Sequence, residues 1–480
     1  MRPIKSTARA PAIASGAACR FSNLRQLELY DLRSEAAAIA CLVPLLLAAD
    51  FWNGFPLIYY DTGAYLLEGL GGHFLVERSP VYSLFLRFAG AGISLWFVAL
   101  VQSIMVGFAI VECARAIVPR LSLAGFLLIG AVLAVATGLP WYVGQIEPDC
   151  FTALVVLALY MLAFHAEAAG RTRAVVLVTI GGFATAAHPS HLVLAAFLMI
   201  GLLAVKVLRS IARREPGWPA PRLLQPALVC LLGIVLVVAS NLYLAQAVFV
   251  SRAGASFVFA RMLQDGLVMR LLDETCPGSG YRLCAYRNSL PPTADGWLWT
   301  PHSPFFQLGH FEGTSAESAR IVRDSLLRYP LLQLRAAALG SAVQFVHFRT
   351  GQQIEPQEWV LAPVFAHYVP AQMASYLAAR QQRGALDFHS LSRVHVAAGF
   401  ACLAGLLLLL AWSGRTARAG TGAFPGFVLA ALIANAVICG VLSGPHDRYQ
   451  SRVIWLAPFA VALAVASRLR ALQGKGESGT

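Results

Sequence analysis

Long apolar runs alternate with short polar stretches along this chain, and the run lengths carry the first prediction. Runs of roughly 17–25 residues suffice to cross a ~30 Å hydrocarbon core. Apolar length predicts about ten membrane helices, near 35–52, 94–113, 121–139, 150–166, 174–187, 190–208, 224–250, 391–412, 424–442 and 452–467. The expected fold is therefore an all-α polytopic membrane protein. It divides into a basic tail (1–34), an N-terminal membrane region (35–250) with a first outer loop at 53–93, a long outer segment (251–390), C-terminal membrane helices (391–467) and a second tail (468–480). No internal repeat stands out.

One stretch resists assignment. "PLLQLRAAALGSAVQFVHF" inside the outer segment is apolar enough for a helix, but Arg335 lies near its middle. An arginine at bilayer depth costs about 2.5–3.5 kcal/mol. A single additional crossing would also invert every loop after it. The stretch is expected to be an amphipathic helix on the outer surface, or half of an extra hairpin with 359–379.

Composition strengthens the membrane reading. The 480 residues are 58% hydrophobic and 13% charged, too few charges to cover a soluble protein of this size. The net charge of +13 does not point to nucleic acid, because the basic residues sit in short loops between apolar runs. "CARAIVPR", "GRTRA", "KVLRSIARREPGWPAPR", "SGRTARAG" and "RLRALQGK" all fall on the side of the basic N-terminus. The positive-inside rule makes that side cytoplasmic. The expected location is a multi-pass inner (plasma) membrane, with the other face toward the periplasm. Residues 1–33 read as a cytoplasmic tail; a transit peptide or an early start codon are the alternatives.

The outer side then collects the unusual residues. Asp61 follows the first helix, and Ala64, Leu67 and Leu70 after it lie on one helical face. Asp61 can cap that helix, serve as a reactive carboxylate, or both. "GQIEPDC" offers Glu147 and Asp149, with Pro148 favouring a helix start and Asp149 a second candidate cap. "GPHDRYQSR" packs His446, Asp447, Arg448, Tyr449 and Arg452 between two apolar runs. Its "HDRY" reads as a phosphate clamp or as an interfacial anchor. "AAHPSH" places His188 and His191 three apart, as ligands, phosphate contacts or a turn between helices. No His/Cys pattern has zinc spacing, and no phosphate-binding glycine motif appears. Of nine cysteines, Cys276 and Cys284 bracket the turn-rich "PGSGYRL" and are candidates for a disulfide, which suits an oxidising compartment.

The first outer loop resembles that of the GT-C superfamily of polytopic glycosyltransferases, in particular the dolichyl-phosphate-mannose protein mannosyltransferase and aminoarabinose-transferase branch. The resemblance lies in Asp61 after helix one, Tyr65, "GHFLVERSPVY" and the run to Arg87, in the second acid Asp149, and in Arg448–Tyr449 near the last helices. It does not extend over 251–390. It implies a bundle that transfers a sugar from a polyprenyl-phosphate carrier to a lipid, glycan or protein acceptor in the cell envelope. Asp61 would be the base, with Glu147 and Asp149 as further acids. Arg78 and Arg448 would meet the phosphate, with His446, Tyr449 and His188 as further substrate contacts. The "DT" at 61–62 departs from the paired acids many members carry there, so no cofactor is assigned and a divalent metal is left open. A transporter or flippase for a lipid-linked or anionic substrate is the alternative, as is an inactive GT-C-like scaffold in envelope polysaccharide assembly. The ionisable residues gather at one face rather than mid-membrane, which favours the enzyme.

Overall fold

A computed structural model describes residues 33–211, 219–416 and 422–477, and among these the chain is helical with no strand. The expected tail 1–34 therefore lies almost wholly outside the described residues. Seven helices are long and apolar enough to cross a membrane. They are Arg33–Asn53 (α1), Leu95–Ile117 (α4), Pro189–Ile211 (α8), Leu224–Ala245 (α9), Phe388–Ser413 within Phe388–Thr416 (α13), Ala423–Leu442 (α14), and Asp447–Arg470. Between α1 and α4 lie Tyr60–Gly71 (α2) and Pro80–Phe88 (α3). Three further elements complete the expected set of ten. Leu123–Ala136 (α5) is apolar but only 14 residues long; Phe151–Phe164 (α6) is also 14; Ala166–Ala186 (α7) is broken at Gly170 and carries Arg171 and Arg173. These three fall short of the length or hydropathy of a full span, so seven is the number of full-length spans among the described residues.

Packing follows membrane rules, with small residues where helices touch and large apolar ones facing outward. On α9, Leu224, Leu228, Leu231, Val235 and Leu242 are exposed, while Val229, Gly233, Val237 and Asn241 are buried. A Cβ on Gly233 would lie 2.7 Å from Thr185 Cγ2, and one on Gly182 would lie 2.6 Å from Leu232 Cδ2. Glycine is what lets α7 and α9 approach this closely. At the centre, α6 is buried along almost its whole length and joins the main apolar core.

Residues 253–329 build a separate helical cap around Trp297, Phe259, Phe305 and Phe311. Val76, from the loop between α2 and α3, packs against this core and ties the cap to the bundle. Cys276 and Cys284 are joined by a disulfide with a Cα–Cα separation of 5.6 Å.

The uncertain stretch forms the helix Pro330–Val346 (α11), which follows His310–Arg328 (α10). Arg335 is exposed, with Leu331, Leu334 and Leu339 on the same outer side. The opposite side packs on α14. A Cβ on Gly340 would lie 2.6 Å from the Gly440 carbonyl oxygen, and one on Gly440 would lie 2.5 Å from that of Gly340. The expected hairpin partner goes elsewhere: Glu358–Tyr368 (α12) packs on α2, with Leu361 fitted against Gly63.

Candidate functional site

Three local devices bring the site together. The first is the turn after α14. Gly444 adopts φ 119°, a conformation glycine tolerates, and its N–H donates to the Cys439 carbonyl at 2.8 Å. Pro445 prevents the helix from continuing. The chain then re-enters the bundle as the helix Asp447–Ile454 (α15), which puts Arg448 and Arg452 one turn apart on one face.

The second device is the interrupted segment between α5 and α6. Residues 142–150 are buried and mostly not α-helical. Backbone groups buried away from water need partners. Gln102 on α4 supplies two, donating from Nε2 to the carbonyls of Val143 (2.8 Å) and Gln145 (2.9 Å), and Ile146 N–H donates to Leu57 O at 2.9 Å. Thus fixed, Glu147 and Asp149 point at α15.

The third is the start of α2. Here Thr62, not Asp61, serves the helix terminus: its Oγ1 accepts from Tyr59 N–H at 3.0 Å. Asp61 sits one residue inside the helix and is free of capping. Asp149 is not a cap either, because both its oxygens accept from guanidinium groups.

Arg448 is the hub. Its Nε donates to Asp149 Oδ2 at 2.5 Å, its Nη2 to Glu147 Oε2 at 3.3 Å, and its Nη1 lies 3.8 Å from Asp61 Oδ2. Its guanidinium sits 3.8 Å from the centroid of the Tyr59 ring. Arg452 Nη1 donates to Asp149 Oδ1 at 2.7 Å. Arg78 Nη2 donates to Asp61 Oδ1 at 2.6 Å, and the Arg78 guanidinium lies between Tyr65 (5.8 Å) and Trp299 of the cap (5.7 Å). Burial works against the charge on Arg78, but the groups around it, Asp61 foremost with Tyr65, Glu77 and Glu147, together outweigh burial and raise its pKa.

The members differ in access. Glu147 and Asp149 side chains are fully buried, whereas Asp61 is 23% exposed. The Nε–H groups of Arg78 and Arg452 have no hydrogen-bond partner. The cluster thus combines a solvent-reachable carboxylate with unsatisfied guanidinium donors. Three carboxyl groups face three guanidinium groups, and burial pushes the Glu147 carboxyl toward its neutral form, so a divalent cation would find no net negative charge there. Among the described residues, no group of three or more His, Cys, Asp or Glu could hold a metal ion.

The other candidates lie around this cluster rather than in it. His446 is bound through its backbone to the Gln344 amide (2.8 and 2.9 Å) and through Nδ1 to Gln352 (3.2 Å). Tyr449 turns away from the acids; its hydroxyl meets Ser443 Oγ at 3.0 Å and its ring lies 5.3 Å from the Arg452 guanidinium. His188 Nδ1 pairs with Ser190 Oγ at 2.7 Å, and Ser190 accepts from Arg452 at 3.3 Å, so His188 touches the cluster only at second hand. Both ring nitrogens of His191 are engaged, by Thr152 Oγ1 (2.7 Å) and Ala184 O (2.8 Å), which leaves none for a ligand.

Sequence reasoning overlooked Tyr59, Thr62 and Glu68 and gave Arg452 no role. Arg452 had a signal: it lies four residues after Arg448, one turn along the same helix. Tyr59, Thr62 and Glu68 had none beyond proximity to Asp61.

A scan against protein-family models, a search of curated proteins and a search of solved structures each returned no match to this chain.

Proposed function

We propose that the chain is a membrane glycosyltransferase that moves a sugar from a polyprenyl-phosphate carrier to an acceptor on the non-cytoplasmic face. One observation carries the reading: Asp61, the only partly exposed acid of the cluster, sits between Arg78 and Arg448, at 2.6 and 3.8 Å. In this reading the two guanidinium groups bind the carrier phosphate, for which Arg offers planar, charge-assisted donors. The acceptor O–H or N–H meets Asp61. The acceptor heteroatom attacks the anomeric carbon as the bond from that carbon to the phosphate oxygen breaks. The bonding pair leaves with the phosphate and is stabilised by the arginines. Asp61 takes the acceptor proton. Asp149 does not share this role: with both oxygens held, it orients Arg448 and Arg452.

An apolar cleft supports the choice of a lipid carrier. It has a volume of about 570 Å³ and is lined by Phe345, Val346, Leu403, Leu407, Leu429 and Ile433. Gln344 on the same α11 is bonded to His446, two residues before Arg448. A tail in the cleft would bring a headgroup toward the arginines.

The test is a transfer assay on purified chain in nanodiscs, with a panel of polyprenyl-phosphate sugars, comparing wild type with Asp61→Asn. Transfer is expected to fall by about 10²–10⁴-fold in the variant. Full activity in Asp61→Asn, or failure of wild type to bind any polyprenyl phosphate, refutes the reading.

A further inference from the structure

Helix α2 carries Asp61, Tyr65 and Glu68 at spacings of four and three residues, which is one helical face. The first two touch Arg78 directly, by the 2.6 Å ion pair and the ring contact at 5.8 Å. Glu68 does not touch it, yet its side chain is buried and both its oxygens are used. Oε1 accepts from Leu75 N–H at 3.0 Å, and Oε2 accepts from Ser83 Oγ on α3 at 2.5 Å. The next link runs from the loop to the arginine: Arg78 N–H donates to Leu75 O at 3.3 Å.

A buried carboxyl in an otherwise apolar interface is costly unless every oxygen is bonded. Here the bonding partners bracket the second half of the loop 72–79. One is a backbone N–H inside the loop, and the other is a hydroxyl on the helix after it. The far side of the loop meets the cap, where Val76 enters the apolar core, and the segment leading into the cap, where Phe74 packs edge-on against Phe249 at 5.8 Å. The loop is thus clamped between the cap on one side and the Glu68 carboxyl on the other. Gly69, one residue further along α2, allows the clamp: a Cβ there would lie well inside van der Waals contact of the Ser83 carbonyl oxygen. Nothing wider than glycine lets α3 come close enough for Ser83 to reach Glu68.

We propose that Glu68 is a positioning residue that holds the turn Leu75–Arg78 so that the Arg78 guanidinium faces the carrier phosphate beside Asp61. The proposal rests on the glycosyltransferase reading for the identity of the anion. The role is geometric, because a side chain of this length must accept from Leu75 N–H while bonded to Ser83. Charge is not required. Glu68→Gln keeps length and shape, with Oε1 accepting from Leu75 and Nε2 donating to Ser83. Glu68→Asp keeps the charge but is one methylene short and cannot span both partners.

The experiment measures binding of undecaprenyl phosphate, which carries no sugar, to the purified full chain by native mass spectrometry or calorimetry. Glu68→Gln is expected to bind within about threefold of wild type and Glu68→Asp about tenfold more weakly, as misplacement of a single binding group costs that much or more. In an Arg78→Ala background, Glu68→Asp is expected to cause no further loss, because Glu68 acts through Arg78. Glu68→Gln as weak as Glu68→Asp, or Glu68→Asp equal to wild type, overturns the positioning role. An additional loss in the Arg78→Ala background overturns it as well. Strong loss in Glu68→Gln with retention in Glu68→Asp would show that the charge and not the reach of the side chain matters, which also overturns the positioning role. If wild type itself binds no lipid phosphate, the transferase reading falls and Arg78 loses its assigned ligand. If wild type binds and only the Glu68 comparisons fail, the transferase reading stands and this proposal alone is lost.

Discussion

Asp61 and Asp149 sit in one cluster, face some of the same arginines, and should respond in opposite ways to the same substitution. Asp149→Asn removes a charge that two guanidinium groups depend on, at 2.5 and 2.7 Å, where Asp149 and Arg452 are almost fully buried. The variant amide also turns an N–H donor toward one of those guanidinium groups. Breaking a buried pair by removing one partner costs about 3–5 kcal/mol, because the other charge is left uncompensated. Glu147 lies within 3.3 Å of Arg448 and offsets part of that loss, but it is not within ion-pair distance of Arg452. A figure near the lower end, about 3 kcal/mol, is therefore expected for Asp149→Asn. For a chain of 480 residues that is a fall in melting temperature on the order of 3 °C.

Asp61→Asn should behave differently. Its carboxylate is 23% exposed, and one of its two ion pairs is long at 3.8 Å. Pairs open to solvent contribute about 0–1 kcal/mol. The melting temperature should move by about 1 °C or less. Transfer should nevertheless fall by about 10²–10⁴-fold if Asp61 is the base. Thermal unfolding in detergent, followed by tryptophan fluorescence, and the transfer assay on the same preparations give both numbers. Equal destabilisation by the two substitutions would refute the assignment of Asp149 as anchor and Asp61 as exposed acid. So would an Asp149→Asn protein that is stable and inactive while Asp61→Asn is unstable.

Three further outcomes follow from particular contacts. Burial pushes the Glu68 pKa from 4.5 up to about 7, against the hydrogen bonds from Ser83 and Leu75 N–H, with Glu77 and Arg78 as its charged neighbours. Its contribution to stability is therefore fully present below pH 4.5 and lost as pH rises through 7, up to about 3 kcal/mol; melting temperatures from pH 5 to 8 should show this slope in wild type and a flatter one in Glu68→Gln. Gly440→Ala would push a methyl group against the Gly340 carbonyl oxygen, so α11 and α14 must separate; a loss of about 1–3 kcal/mol is expected, and unchanged thermal stability would show that the helices are not in this contact. In a background lacking the free cysteines, His73→Cys and Asp295→Cys should react with an impermeant thiol reagent in intact cells, whereas Arg120→Cys should react only after permeabilisation; labelling of all three, or of Arg120→Cys alone, would overturn the sidedness read from the basic loops.

Much of the fold is legible because each membrane helix advertises itself through an apolar run. Legibility ends where run length stops deciding. Helices α5 and α6 are short, α6 lies inside the bundle, and α7 begins with arginines, so hydropathy alone does not separate a crossing from a buried helix. The stretch 330–346 is ambiguous for a related reason. Arg335 argues correctly for an outward-facing side, but a lone glycine at 340 carries no signal of its role, and it is the residue that seats the helix against Gly440. Pairing 330–346 with 359–379 has only proximity in sequence to support it. Glu358–Tyr368 instead finds its place on α2 because Gly63 leaves a socket for Leu361.

The site shows where local pattern ends and physical necessity takes over. Asp149 and Arg448 are 299 residues apart, and no periodicity links them. Asp149, however, lies beside an apolar helix with no cation nearby in sequence, and the one acid beside the arginines, Asp447, accepts instead from Arg349 N–H at 2.8 Å. A charge buried without a partner is too costly to keep. The acids at 147 and 149 therefore require cations from elsewhere, and the arginines at 448 and 452 require acids. That argument pairs the two segments without any structure, and it also identifies the residue that does not fit the rule. Three acids meet three arginines, yet burial demands this only for Glu147 and Asp149. Asp61 is reachable by water and does not need its arginines to remain charged. Its own burial does not impose its place between Arg78 and Arg448, although the nearly buried Arg78 is paired with it, and it is the one acid of the cluster that a substrate arriving from solvent can meet.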